Sequence, residues 1–160
     1  MAWINLAPSN WARRLTGLKQ GRAANTVRPV RTGGAARRII VIDDDGVTRL
    51  VLSAALRDAG YEVAEYSDGA EGLAAFIQRP ADLVITDLVM PQQGGLQTVR
   101  ELRAADPTVR ILVVSGVTGA SAEHLRTAVR LGADRVLPKP VNLGELVAMV
   151  AGLLAEPSAG

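Results

Sequence analysis

Three apolar, β-branched runs in this 160-residue chain end on residues that can do chemistry. The run "IIVI" at 39–42 leads into Asp43, Asp44 and Asp45; "LVIT" at 83–86 leads into Asp87; "ILVV" at 111–114 leads into Ser115. A fourth stretch, "RVLPKP" at 135–140, carries Lys139. If these runs are adjacent strands about 4.8 Å apart, their ends bring carboxylates, a hydroxyl and an ammonium group to one edge. Like charges so close repel unless a cation stands between them. A hard, oxygen-seeking ion such as Mg²⁺ meets that need, because it takes one or two carboxylates and leaves positions for water and phosphate oxygens. Lys139 adds charge for the same anion and Ser115 a hydroxyl donor. Phosphoryl transfer rests mainly on positioning and charge neutralisation, so the set predicts Asp87 as a nucleophile towards phosphorus with no separate general base.

That convergence requires parallel strands joined by crossover helices, and the intervening sequence has helical spacing. A first helix is expected over 47–59, with Leu50, Val51, Ala54 and Ala55 on its inward face and Gly60 as its stop. Others are expected over 70–79 before Pro80, 96–105 before the Asp106–Pro107 pair, 121–131 before Gly132, and 142–154. "YEVAEY" at 61–66 alternates polar and apolar residues, and Pro138 cannot donate to a central ladder, so both strands belong at sheet edges. The fold class is therefore α/β, a doubly wound parallel sheet of order 2-1-3-4-5, flavodoxin-like, with its crevice at the carboxyl ends of strands 1 and 3. Strand 2 lies outside that line and is expected to add nothing comparable to the crevice.

Composition narrows the chemistry. The absence of cysteine excludes disulfides, thiolate metal sites and thiol catalysis. No apolar run reaches the ~18 residues of a membrane span and the first 30 residues lack a secretory core, so a soluble, cytoplasmic protein is expected. Residues 1–38 hold eight basic side chains and no acid (+8), whereas 39–160 hold ten basic and sixteen acidic (−6). The expected organisation is a basic, flexible extension at 1–37, one domain at 38–156 and a tail at 157–160. Within the extension, Trp11, Leu15 and Leu18 with Arg13, Arg14 and Lys19 can form a short basic amphipathic helix over 10–19. Weak contact with an anionic surface suits it; sequence-specific nucleic-acid binding is not expected. Asp45 reads as a helix N-cap rather than a ligand. His124 reads as an exposed helical residue, and "VVSGV" lacks the glycines of a nucleophile elbow.

From about Arg38 to Leu154 the chain resembles a response-regulator receiver domain of the stand-alone chemotaxis type: "IIVIDDD", "LVITDLVMP", "ILVVSG" and "VLPKPV" occur in family order and spacing. The resemblance implies Asp87 as the phosphoacceptor, Asp44 as a direct Mg²⁺ ligand, Asp43 acting through a metal-bound water, and the Val89 backbone carbonyl as a further ligand. It also implies Ser115 as the switch hydroxyl, Lys139 as the phosphate-contacting lysine, and a cis Lys139–Pro140 peptide. Three departures stand out. Val136 occupies the place of the family's aromatic switch, "MPQQGG" replaces "MPxMDG" through Gln93 and Gly94, and the positions flanking the approach of hydrolytic water, Val89 and Val117, are both apolar.

The expected function is a single-domain response regulator, not a turnover enzyme. It would accept its phosphoryl group from a histidine kinase or histidine phosphotransfer protein and signal to an output protein through a face that includes Arg126, Arg130 and Arg135, as a monomer or a phosphorylation-dependent dimer. The alternatives are a phosphorelay intermediate or phosphate sink, an acyl-phosphate phosphatase, for which Val89 replaces the acid such enzymes use, and a basic adaptor driven by residues 1–37. Because neither Val89 nor Val117 can orient water, the acyl phosphate is predicted to hydrolyse slowly. A phosphoryl half-life of seconds in the purified, Mg²⁺-loaded protein would contradict that.

Overall fold

A computed structural model describes residues 36–91, 94–116 and 121–156. The basic amphipathic stretch at 10–19, the tail at 157–160, and the positions Gln93 and Val117 lie outside the described residues. Strands and helices alternate as β1 (Arg38–Ile42), α1 (Gly46–Asp58), β2 (Glu62–Tyr66), α2 (Gly69–Gln78), β3 (Leu83–Asp87), α3 (Gly95–Ala105), β4 (Arg110–Gly116), α4 (Ser121–Leu131), β5 (Arg135–Lys139) and α5 (Leu143–Ala155). The five strands form one parallel sheet of order β2-β1-β3-β4-β5. This is the expected winding, and its cause is legible. β1 and β3 are buried along their whole length, which only a sheet covered on both faces allows, while β2 and the Pro138 strand β5 each pair on one side.

Alternate strand residues sort the two layers. Ile39, Val41, Leu83, Ile85, Leu112, Val114 and Leu137 join Leu52 and Leu56 of α1 and Leu146, Val150 and Leu153 of α5 in one core cluster. α2 packs on α3 and α3 on α4. Helix ends follow local chemistry: Asp45 caps α1 through the Val47 and Thr48 amides, Asp68 caps α2 and Asn142 caps α5. Gly60 and Gly132, at φ of 92° and 115°, close α1 and α4 in the left-handed region.

One expectation fails. The inward face of α1 is Leu52, Ser53 and Leu56, whereas Leu50 and Val51 stand 60% and 43% exposed, with Val47 at 71% and Ala54 also outside. α1 carries two apolar stripes at helical spacing, and periodicity cannot choose between them. The larger Leu52–Leu56 pair faces the sheet, and the helix is left with an apolar outer stripe.

The turn after β3 is set by backbone proximity. The Gly95 amide donates to the Leu88 carbonyl at 3.0 Å, and a Cβ on Gly95 would lie 2.0 Å from the Asp87 carbonyl oxygen and 2.5 Å from Leu88 Cα. The three nearest atoms are all main chain, so the strand end must move to admit a methyl group. Gly95→Ala is expected to cost about 1–3 kcal/mol in urea denaturation, whereas Gly152→Ala, exposed in α5 with open space around it, should gain about 0.5–1 kcal/mol. Equal stabilities for Gly95→Ala and wild type would refute this packing.

Candidate functional site

Register delivers the acids to one another. Ile42 of β1 pairs with Thr86 of β3, so the next residues along, Asp43 and Asp87, emerge side by side at the carboxyl edge. Asp43, Asp44 and Asp87 each offer a carboxylate oxygen, and these lie within 4.8 Å of one another. From β5, Lys139 Nζ donates to Asp43 Oδ2 at 3.0 Å and to Asp87 Oδ2 at 2.9 Å. The ammonium thus bridges acids from two other strands, and the Lys139–Pro140 peptide that follows it is cis, as expected.

The remaining hydrogen bonds fix orientation. Asp43 is buried and its Oδ1 accepts from the Asp45 amide at 2.9 Å. Asp43 also donates its own amide to the Tyr66 carbonyl at 3.2 Å, so β2, expected to bring no comparable reactive side chain, supports the crevice through its backbone. That contribution is main-chain, and no side-chain motif signals it. Asp87, also buried, accepts from the Val89 amide at Oδ1, 3.2 Å away. Asp44 is exposed and its carboxylate has no hydrogen-bond or ion-pair partner among the described residues. Ser115 follows Val114, the register partner of Asp87; its hydroxyl is buried and has no hydrogen-bond partner among the described residues.

Electrostatics match a pocket built for a cation and an anion together. Burial pushes the Asp43 carboxyl above the usual carboxylate range, against the opposing pull of the Lys139 hydrogen bond. Burial alone would lower Lys139, but its hydrogen bonds to Asp87 and Asp43 outweigh it and hold the ammonium above its ordinary value. Asp45 is lowered by the Thr48 hydroxyl and amide, which commits it to the cap. The donor set fits a hard divalent ion: clustered carboxylate oxygens and, in Asp44, an acid with no competing described partner. When bound, such an ion supplies positive charge against phosphoryl oxygens. The orphaned Ser115 hydroxyl and the Lys139 ammonium suit those same oxygens.

Asp43, Asp44, Asp87, Ser115 and Lys139 therefore stand at this edge, and His124 is exposed on α4. Sequence reasoning missed Gly95 and Arg49. The first shows only as a glycine after the β3 turn. Arg49 shows as no motif, and its Nη1 donates to the Asp43 carbonyl at 2.6 Å.

Known proteins share this arrangement of sequence. The profile of the response regulator receiver domain family matches residues 39–151. The transcriptional regulatory protein PrrA of Mycobacterium tuberculosis is 38% identical over 123 residues, which is 77% of this chain and 52% of that protein. The DNA-binding transcriptional regulator NtrC of Bradyrhizobium is 38% identical over 125 residues, 76% of this chain and 25% of that protein. The chain thus spans about half the length of PrrA. Among solved structures, chemotaxis protein CheY4 of Vibrio cholerae superposes with a TM-score of 0.69 at 30% identity, covering 74% of this chain and 99% of CheY4. The receiver domain of NtrX from Brucella abortus gives 0.70 at 26% identity, covering 74% and 99%.

The geometry predicts a metal-dependent stability. Mg²⁺ should raise the thermal midpoint of the wild-type protein and saturate, adding about 2.7 kcal/mol at roughly 100 times its Kd. Asp44→Asn removes an exposed acid without a described partner, so it should leave metal-free stability near wild type and abolish the Mg²⁺ increment. An unchanged increment in Asp44→Asn would remove Asp44 from the site.

Proposed function

This chain belongs to the response regulator receiver domain family, the phosphoacceptors of two-component signalling, and on that premise we propose that Asp87 is its phosphoacceptor. The observation that carries the assignment is the Lys139 bridge between Asp43 and Asp87, with Asp44 completing the acidic cluster. A carboxylate oxygen of Asp87 forms the new P–O bond as the P–N bond of a phosphohistidine breaks, and the departing ring nitrogen keeps the electron pair. Lys139 moves its charge onto a phosphoryl oxygen, and the Ser115 hydroxyl turns towards another. Asp43, Asp44 and Asp87, with the Val89 carbonyl, would hold Mg²⁺, which would supply positive charge against the phosphoryl oxygens. The chain is a phosphoacceptor rather than a turnover enzyme.

The donor is a histidine kinase or histidine phosphotransfer protein in the cytoplasm. The apolar outer stripe of α1 (Val47, Leu50, Val51), starting two residues after Asp45, and the exposed Val89 beside the acceptor give a helical donor an apolar surface to cover. No described helix is long and apolar enough to cross a membrane. Output passes by protein contact. Leu125, Arg126, Val129 and Arg130 of α4 and Val136 of β5 line an open groove of about 770 Å³. With Val136 in place of an aromatic, the readout is the population of loop and α4 states that phosphorylation favours, rather than the swing of a ring.

Incubation with Mg²⁺ and phosphoramidate or acetyl phosphate is expected to add one labile phosphoryl group to the wild type and none to Asp87→Asn. Lys139→Ala should label roughly 100-fold more slowly. Equal labelling of Asp87→Asn would overturn the assignment. Sustained turnover of small phosphate esters would make the chain an enzyme. Return of the phosphoryl group to a phosphotransfer protein, with no phosphorylation-dependent binding to any output protein, would make it a relay intermediate.

A further inference from the structure

Arg49 is not one of the residues that phosphoryl chemistry requires, yet its side chain enters the acidic turn. Nη1 donates to the Asp43 carbonyl oxygen at 2.6 Å. From the other side, its Nε lies 3.8 Å from Glu65 Oε2 on β2, and Glu65 Oε1 accepts from Arg57 Nη2 at 2.7 Å. The same Arg57 nitrogen donates to the Val63 carbonyl at 3.2 Å. Arg49 and Glu65 are 22% and 26% exposed, so the pair is shielded more than a surface ion pair and is less open to screening by salt. Among the described residues, the side chain of Arg49 touches the Asp43 main chain and Glu65, and none of the three clustered carboxylates.

That pattern is a brace rather than a charge in the site. Asp43 and Asp44 sit on the turn between β1 and α1, whose main chain is also held by the Asp43 amide bond to Tyr66, the bond from the Asp45 amide to Asp43 Oδ1 and, one residue on, Asp45 as the α1 cap. We propose that Arg49, anchored by Glu65, is a positioning residue that clamps the Asp43 carbonyl and so holds the Asp43 and Asp44 carboxylates within range of Asp87, setting the pocket's affinity for a divalent cation. The proposal rests on the receiver reading of the site.

Two physical effects of removing Arg49 have opposite signs. Loss of a positive charge near an acidic pocket strengthens cation binding by Coulomb's law. Loss of the brace weakens it, because support of ligating groups typically governs metal affinity by about 10–100-fold. Titration calorimetry of the full chain with Mg²⁺ alone, well below the thermal midpoint of each variant, separates them. Arg49→Ala is expected to raise Kd about tenfold, Glu65→Gln to raise it by less, and Arg49→Lys to fall between wild type and Arg49→Ala. Arg79→Ala, which removes a guanidinium paired to Glu62 at the amino end of β2, should bind as wild type does. A merely structural role would lower the midpoint and leave Kd unchanged. An equal or tighter Kd in Arg49→Ala overturns the brace, and if that variant fails to fold, an unchanged Kd in Glu65→Gln does so. Failure of the wild type to bind Mg²⁺ overturns the receiver reading and the brace together, whereas wild-type binding with an unaffected variant overturns the brace alone.

Discussion

Asp43 and Asp87 are buried acids at the ends of adjacent parallel strands, and the register that pairs Ile42 with Thr86 forces them together. Burial favours the neutral form of Asp43, and two like charges this close repel, so a positive charge has to enter the gap. Lys139 supplies it from β5, two strands beyond β3, with one ammonium group shared between both carboxylates. Nothing in the pocket is local. Its acids come from the end of β3 and the turn after β1, its ammonium from β5 and a hydroxyl with no described partner from β4, and each depends on the strands between for its place.

The rest of the fold answers to that requirement. Four parallel strands must end level, which needs a sheet buried on both faces, and this is why β1, β3 and β4 are almost wholly apolar until their last residues. The turns beyond those ends must then hold still. At β3 the close approach of Gly95 to the Asp87 and Leu88 main chain ties α3 to the strand, and the Val89 amide holds Asp87 Oδ1. At β1 the turn is tied by Asp45 as cap, by Tyr66 and by the Arg49–Glu65 pair.

The two places where sequence reading fell short have a common cause. α1 carries apolar residues on more than one face, so its 3.6-residue period is real but does not say that Leu52 and Leu56 go inward while Val47, Leu50 and Val51 stay out. β2 looked irrelevant to the crevice because it ends in no reactive side chain. Its part is played by the Tyr66 carbonyl and by Glu65, which act on the turn of another strand. Choices between equivalent faces and contacts made through main-chain atoms leave no pattern in residue types.

The sequence by itself determined the alternation of strands and helices, the strand order, the cap of α1 and the stops of most helices, and the identity of the acids, the hydroxyl and the lysine. Those follow from burial, dihedral preference and side-chain chemistry, which are properties of neighbouring residues. Tertiary structure alone decided that Lys139 bridges Asp43 and Asp87, that the Ser115 hydroxyl and the Asp44 carboxylate have no partner among the described residues, and that Arg49 grips the turn beneath them. These are distances between residues remote along the chain, and they take definite values only once register and packing have closed the sheet.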